Sequence, residues 1–155
     1  MFEQDEFWMR KAIEAAKAAQ DLDEIPIGAC LIDADGELLA AAGNRTITSS
    51  DPTAHAEILV LREAGKKIGN YRLTETTLYT TIEPCAMCAG ALVNARVERL
   101  VFGAHDERFG AVKSVFQICD TSSLNHQIDI TAGVLAEECR KLMQDFFRAR
   151  RVKPI

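Results

Sequence analysis

The run from Thr76 to Gly103 restricts the fold more than any other part of the chain. Thr76 to Ile82 is rich in Thr, Leu and Tyr, which suit a pleated, half-buried surface, and reads as a strand. Pro84, with φ already near the helical value and no N–H to lose, opens a helix running to about Ala95. Arg96 to Gly103 follows as another buried strand. Strand, helix and strand in that order leave the two strands parallel across a crossover, within a sheet layered between helices. The helix start then lies at the carboxyl end of a strand, where sites gather in such sheets.

The remaining segments supply the other strands and the covering helices. Residues 5–20 place Phe7, Trp8, Ile13 and Ala16 near helical spacing among charges, which predicts an opening amphipathic helix. Ile25 to Ile32 reads as a buried strand, Asp33-Ala34-Asp35-Gly36 as a turn and Glu37 to Ala42 as the returning strand of a hairpin. Asp51-Pro52, an N-cap followed by proline at the first helical position, predicts a helix through about Ile68 that ends near Gly69-Asn70. Residues 104–126 form an irregular excursion with room for one short helix, of a length that is usually functional or mobile. Ile128 to Ile130 makes a last short strand, and Val134 to Arg150 a closing helix. The expectation is one domain over residues 1–155, a three-layer α/β/α arrangement around a mixed sheet of about five strands. No repeat, low-complexity tract or linker interrupts it.

With 48% apolar residues in a chain of 155, a core can form without disulfides. No stretch approaches the roughly 18 apolar residues of a membrane span. The acidic opening from Met1 to Glu6 lacks the basic-then-apolar pattern of a leader, so the expected setting is soluble and cytoplasmic. Five cysteines without such a leader point to reduced thiols. Cys30, in an apolar run, and Cys139, in a helical pattern, read as small buried hydrophobes, while Cys119 carries no signal. The net charge of −5 argues against a polyanionic partner, yet the charge is unevenly spread. Arg140, Lys141, Arg148, Arg150, Arg151 and Lys153 face only Asp145 in the closing segment, whereas residues 1–24 are acidic. Such a basic tail is either a solvated helix face or one that meets nucleic acid.

Cys85 and Cys88 form a Cys-x-x-Cys pair at a helix N-terminus, where two sulfurs converge and the helix dipole stabilises thiolates. Alone, the pair suits zinc and disulfide redox chemistry equally. His55, in the first turn of another helix, offers a third ligand, and no further Cys or His stands out as a fourth. Three protein ligands suit a catalytic zinc whose fourth position is open to water. Glu57 lies two residues beyond His55, a spacing that in mid-helix sends side chains to nearly opposite faces. At a helix start aimed at the metal, His55 can bind while Glu57 reaches past it to move protons.

His-x-Glu with Pro-Cys-x-x-Cys is the established signature of zinc deaminases acting on nucleobases, and every element of it is present. Beyond the motifs, the chain resembles the bacterial tRNA adenosine deaminases over nearly its whole length. The likeness runs through Trp8-Met9-Arg10, Pro26 to Ala29, Asn44-Arg45, Asp51 to Ile58, Asn70 to Leu73, Thr77 to Gly90, Val101 to Ala104, Asn125-His126 and Asp145 to Arg148. The closing Asp-Phe-Phe-Arg is more selective than the catalytic motifs. This resemblance implies a cytidine-deaminase-like fold, one Zn2+ per subunit, a homodimer, and hydrolytic deamination of wobble adenosine to inosine in a tRNA anticodon stem-loop. It further implies that Asn44 hydrogen-bonds the base and that Pro26 and Ile27 line its pocket. Asp106, Arg108, Asn125 and His126 would face neighbouring nucleotides, and Phe146, Phe147 and Arg150 would support the RNA near the subunit boundary. Read without the resemblance, Asn44 equally suits a turn, Phe146 and Phe147 a core, and Arg150 a solvated face.

Two departures from the family pattern stand out. Arg108 replaces the usual lysine, which keeps the charge but changes hydrogen-bond geometry. Thr121 to Leu124 replaces a His-Pro segment and leaves the course of that loop open. Three rivals remain at this point. One is a deaminase of free guanine, cytosine or a nucleoside with the same zinc chemistry. Another is a non-catalytic structural-zinc RNA-binding subunit, in which Glu57 should have been replaced. The third is a thiol redox protein, which would bind no zinc and would readily form a Cys85/Cys88 disulfide.

Overall fold

Asp33 closes the first hairpin with its own side chain, Oδ1 accepting from the N–H groups of Asp35 and Glu37 at 2.9 Å each. Gly36 takes the left-handed conformation that the turn needs, at φ 81. The computed structural model describes residues 2–152, so Lys153 of the basic tail lies outside the described residues. In chain order the elements are α1 (Phe2–Asp21), β1 (Gly28–Ile32), β2 (Leu38–Gly43), α2 (Ala56–Ile68), β3 (Thr77–Ile82), α3 (Ala86–Asn94), β4 (Arg99–Ala104), β5 (Asp129–Ala132) and α4 (Ala136–Val152). The sheet runs β2-β1-β3-β4-β5. β1 is antiparallel to both neighbours, whereas β3, β4 and β5 are mutually parallel, so the sheet is mixed and five-stranded.

Alternation along the strands decides which helices cover which face. Cys30, Tyr79 and Val101 meet Met9, Ala12 and Ile13 of α1 and Cys139 of α4. Leu31, Leu78, Leu100 and Phe102 meet Val60 and Ala64 of α2 and Ala89 and Leu92 of α3. The result is the expected three layers, and Cys30, Cys119 and Cys139 are all buried thiols. α1 lies directly on β1, because a Cβ at Gly28 would come within 2.0 Å of the Ala12 carbonyl oxygen. Asp5 fastens the same helix to the sheet, accepting from Tyr79 Oη at 2.8 Å and from two nitrogens of Arg99 at 2.9 and 2.7 Å. Among the described residues, no helix is long and apolar enough to cross a membrane.

Several boundaries differ from the sequence-based expectation. α2 begins at Ala56, not at Pro52, because Asp51 spends its carboxylate on the N–H and hydroxyl of Thr53, at 2.9 and 2.7 Å, and so builds a turn. α3 likewise begins at Ala86, with Cys85 rather than a residue before Pro84 as its N-cap. β1 begins at Gly28 because Pro26 sits at the centre of a three-residue turn closed by the Ile27 N–H on the Ile25 carbonyl at 2.8 Å. Residues 105–127 contain turns and no helix. Their N–H groups at Asp106, Val112, Lys113 and Ser114 bond to the Glu83 carboxylate instead of to helical carbonyls.

Candidate active site and metal centre

Both helices that aim at the site place a candidate ligand at their N-cap. His55 precedes α2 with φ −74 and ψ 152, and Cys85 precedes α3 with φ −76 and ψ 178; neither side chain caps its own helix. Extended backbone there turns each side chain away from the helix barrel, which resolves the spacing problem of His55 and Glu57. His55 departs before the helix begins, while Glu57 belongs to its first turn. Cys88 comes one turn into α3 and is fully buried.

The three donor atoms lie within 4.8 Å of one another. His55 Nδ1 is 3.6 Å from Cys85 Sγ and 3.5 Å from Cys88 Sγ. Tetrahedral zinc with ordinary Zn–S and Zn–N bonds separates a sulfur and a nitrogen ligand by about 3.6 Å, so the group fits such an ion. The positive ends of α2 and α3 converge on it and favour thiolates. Hydrogen bonding from Cys88 and the proximity of His55 hold the Cys85 thiol down, to about 4. Cys88, facing the Cys85 sulfur and buried, is pushed up. Without metal the pair thus retains one proton, which a cation displaces.

Glu57 is buried beside this group, and burial pushes its carboxyl up to about 7. A cation in the site acts in the opposite direction. Its side chain lines a cavity of about 980 Å³ together with His55, Cys85, Asn44, Ile25 and Ile27. Asp106, Arg108, Phe109, Arg140 and Phe147 also line the cavity. Pro26 does not: it is buried behind this wall at the centre of its turn, and its neighbours Ile25 and Ile27 present themselves instead.

Two buried acids, unmarked in the sequence reading, build the walls. Glu24 is fully buried and accepts from the Thr48 N–H at 2.6 Å, the Thr48 hydroxyl at 2.5 Å, the Ile47 N–H at 3.2 Å and Asn44 Nδ2 at 3.5 Å. Although burial alone would raise its pKa, these bonds bring the net shift below the usual carboxylate range. They also set the Asn44 amide, whose backbone N–H bonds the Ile27 carbonyl at 3.0 Å. Glu83 does the same for the opposite wall. Its carboxylate accepts four backbone N–H groups and the Ser114 hydroxyl, and these bonds outweigh desolvation to hold it at about 2. A single sequence carries no mark of either role, since both acids look like ordinary surface charges.

The other candidate residues fall in different places. Phe147 is on the cavity, whereas Phe146 is buried, with Arg150 4.5 Å over its ring. Arg150 also donates to the Asp23 carbonyl at 2.7 Å, fastening α4 to the segment after α1. Asn125 accepts from Arg96 at 3.0 Å, and His126 Nε2 is 2.7 Å from the Val97 carbonyl. Both therefore stand at the amino end of β4, a strand's length or about 17 Å from the Ala104 end that borders the cavity. Within one chain the fold does not bring them to the site.

Comparison with known proteins agrees with this geometry. The profile of the MafB19-like deaminase family matches residues 3–151. A tRNA-specific adenosine deaminase from Haemophilus influenzae is 50% identical over 147 residues, covering 95% of this chain and 85% of its own length. The Bacillus subtilis protein of the same name is 46% identical over 150 residues, or 97% and 92% of the two chains. A solved structure from work on A-to-I editing by tRNA:A34 deaminases superposes with a TM-score of 0.84 at 41% identity, covering 88% of this chain and 98% of that one. With its His-x-Glu and Pro-Cys-x-x-Cys residues folded into one site, this chain belongs to the MafB19-like deaminases, in the family of the tRNA-specific adenosine deaminases.

Proposed function

We propose that this protein is a zinc-dependent deaminase that converts the wobble adenosine of a tRNA anticodon stem-loop to inosine. The observation that carries the chemistry is the buried Glu57 carboxyl beside three convergent donors on one cavity. The identity to tRNA-specific adenosine deaminases over nearly the whole chain supports the substrate.

A zinc ion held by His55, Cys85 and Cys88 supplies Lewis acidity and brings the pKa of a water toward neutrality. Glu57, screened from bulk solvent, takes a proton from the attacking water and gives it to the purine ring nitrogen. It then carries the second proton of that water to the departing ammonia as the C6–N bond breaks. A buried carboxylate in that place can both accept a proton and return it. Asn44, held by Glu24 and Thr46, orients the base, and Ile27 supplies an apolar wall. Asp106, Arg108 and Phe147 meet the flanking nucleotides, while Phe146 and Arg150 support that surface from beneath.

A homodimer belongs to the same reading, because Asn125 and His126 can meet RNA at a cavity only if a second copy offers it. Its setting is the cytoplasm, where tRNA is available. The test is to incubate zinc-loaded protein with an adenosine-containing anticodon stem-loop and, separately, with free guanine, cytosine and adenosine, measuring inosine and ammonia. Inosine in the stem-loop is the expected result. Ammonia from guanine with an inert stem-loop would overturn the tRNA reading and leave the zinc chemistry standing. Sedimentation equilibrium of the same sample tests the dimer.

A further inference from the structure

Phe109 lines the cavity yet leaves 66% of its surface in solvent. An exposed phenylalanine on a slack loop can fold its ring down onto apolar neighbours, but this loop is not slack. Asp106 Oδ1 accepts from the N–H groups of Arg108 at 3.0 Å and Phe109 at 3.1 Å, and the Gly110 N–H bonds the Asp106 carbonyl at 2.9 Å. Gly110 in turn lies hard against Glu83, where an added Cβ would meet the carboxyl carbon at 2.4 Å. The backbone that carries the ring is therefore fastened beside the cavity. The Arg108 guanidinium lies 5.9 Å from its centroid, and Arg140 borders the same cavity. An exposed aromatic ring with one guanidinium over it and another on the same cavity matches a nucleotide, which offers a base and a phosphate together.

We propose that Phe109 is a stacking platform for the unpaired base next to the one that enters the cavity. This rests on the RNA reading above and adds a contact to it. Stacking tolerates any base, because each has a π-face. The ring therefore contributes affinity and places the strand without reading its sequence. Phe116, in the same loop and 55% exposed, does not line the cavity and provides the internal control.

The test is steady-state kinetics of zinc-loaded Phe109→Ala, Phe109→Trp, Phe109→Leu and Phe116→Ala on an adenosine-containing anticodon stem-loop. Two further stem-loops each carry an abasic sugar on one side of the target. Phe109→Ala is expected to raise KM about tenfold, with the loss concentrated in KM rather than kcat. Phe109→Trp should restore the wild-type value, Phe109→Leu should not, and Phe116→Ala should behave as wild type. On one of the abasic stem-loops, Phe109→Ala and wild type should converge, since the partner of the ring is gone. An unchanged KM for Phe109→Ala, full rescue by Leu, or a loss undiminished on both abasic stem-loops would overturn the proposal. So would a change of sedimentation in Phe109→Ala, which would make the ring part of a contact between copies. Wild type inert on the intact stem-loop would bring down the RNA reading itself, whereas an active wild type with an indifferent Phe109→Ala removes this proposal alone.

Discussion

Replacing Glu83 by glutamine keeps the shape of the side chain and removes its charge. The consequence can be worked out from its partners. One carboxylate oxygen accepts from the N–H groups of Val112 at 3.1 Å, Lys113 at 2.7 Å and Ser114 at 2.9 Å. The other accepts from the Asp106 N–H at 3.1 Å and the Ser114 hydroxyl at 2.5 Å. An amide can keep only one oxygen, so its NH2 must face at least one backbone N–H. The Ser114 hydroxyl can rotate to accept, but a backbone N–H cannot. An orphaned buried donor costs about 1–3 kcal/mol, and the surviving bonds lose their charge assistance. A second route gives a similar size: the carboxyl is lowered from 4.5 to about 2, and its side chain is fully buried. That shift corresponds to about 3 kcal/mol of stability.

Because the folded-state value is depressed, this stabilisation is present above the unfolded value near 4.5 and is lost as pH falls through about 2. Glu83→Gln should therefore lower stability at pH 7 by about 2–4 kcal/mol, or Tm by about 5–15 °C for a domain of this size. Between pH 5 and pH 2 the variant should lose less than wild type does, since it has no carboxylate left to protonate. Urea unfolding of both proteins, followed by circular dichroism with a chelator present throughout, removes zinc loss from the comparison. A variant within about 0.5 kcal/mol of wild type at pH 7, or one with an unchanged acid limb, would refute the account of Glu83 as the anchor of the 105–114 wall.

Glu57→Gln should fold and retain zinc while losing a factor of about 100 to 10,000 in kcat, the usual worth of a positioned proton carrier; turnover near wild type would remove Glu57 from that role. In wild type, kcat/KM should fall as the pH drops through the Glu57 pKa, because the base must be ionised to accept a proton. That limb should lie below the metal-free value of about 7, since the bound cation favours the carboxylate. Cys88→Ser should lose stoichiometric zinc by elemental analysis, and a fully loaded variant would count against the ligand set. Gly28→Ala should destabilise strongly, by about 2 kcal/mol or more, because backbone atoms Ala12 O and Ala16 N lie only 2.0 and 2.4 Å from the added Cβ. A thermal melt matching wild type would show that α1 can shift without cost.

The elements legible in the sequence are those whose cause is local. The Asp33–Gly36 turn is closed by side-chain and backbone groups a few residues apart, and the Gly69 end of α2 by a bond to Gly65. The β3-α3-β4 unit follows from short-range propensity and the handed geometry of a crossover. His-x-Glu and Cys-x-x-Cys are local as well, which is why four residues could be assigned to one chemistry before the fold was known.

What required the tertiary structure are the features in which distant groups compete for the same atoms. Asp51-Pro52 has the local form of a helix start, but the Asp51 carboxylate engages Thr53, and the helix waits until Ala56. Asp5, Glu24 and Glu83 are indistinguishable by composition from the solvated acids around them. Their partners lie between 20 and 94 residues away, and burial with such partners is a property of the assembled chain. The same holds for placement. The family resemblance joined Asn125 and His126 to Asp106 and Arg108 in one expected surface, yet within one chain β4 separates the pairs, because they stand at its two opposite ends. Short-range physics sufficed to single out His55, Cys85 and Cys88 as candidate metal ligands with Glu57 beside them. The walls around them depend on which carboxylates folding takes out of water, and no local pattern records that.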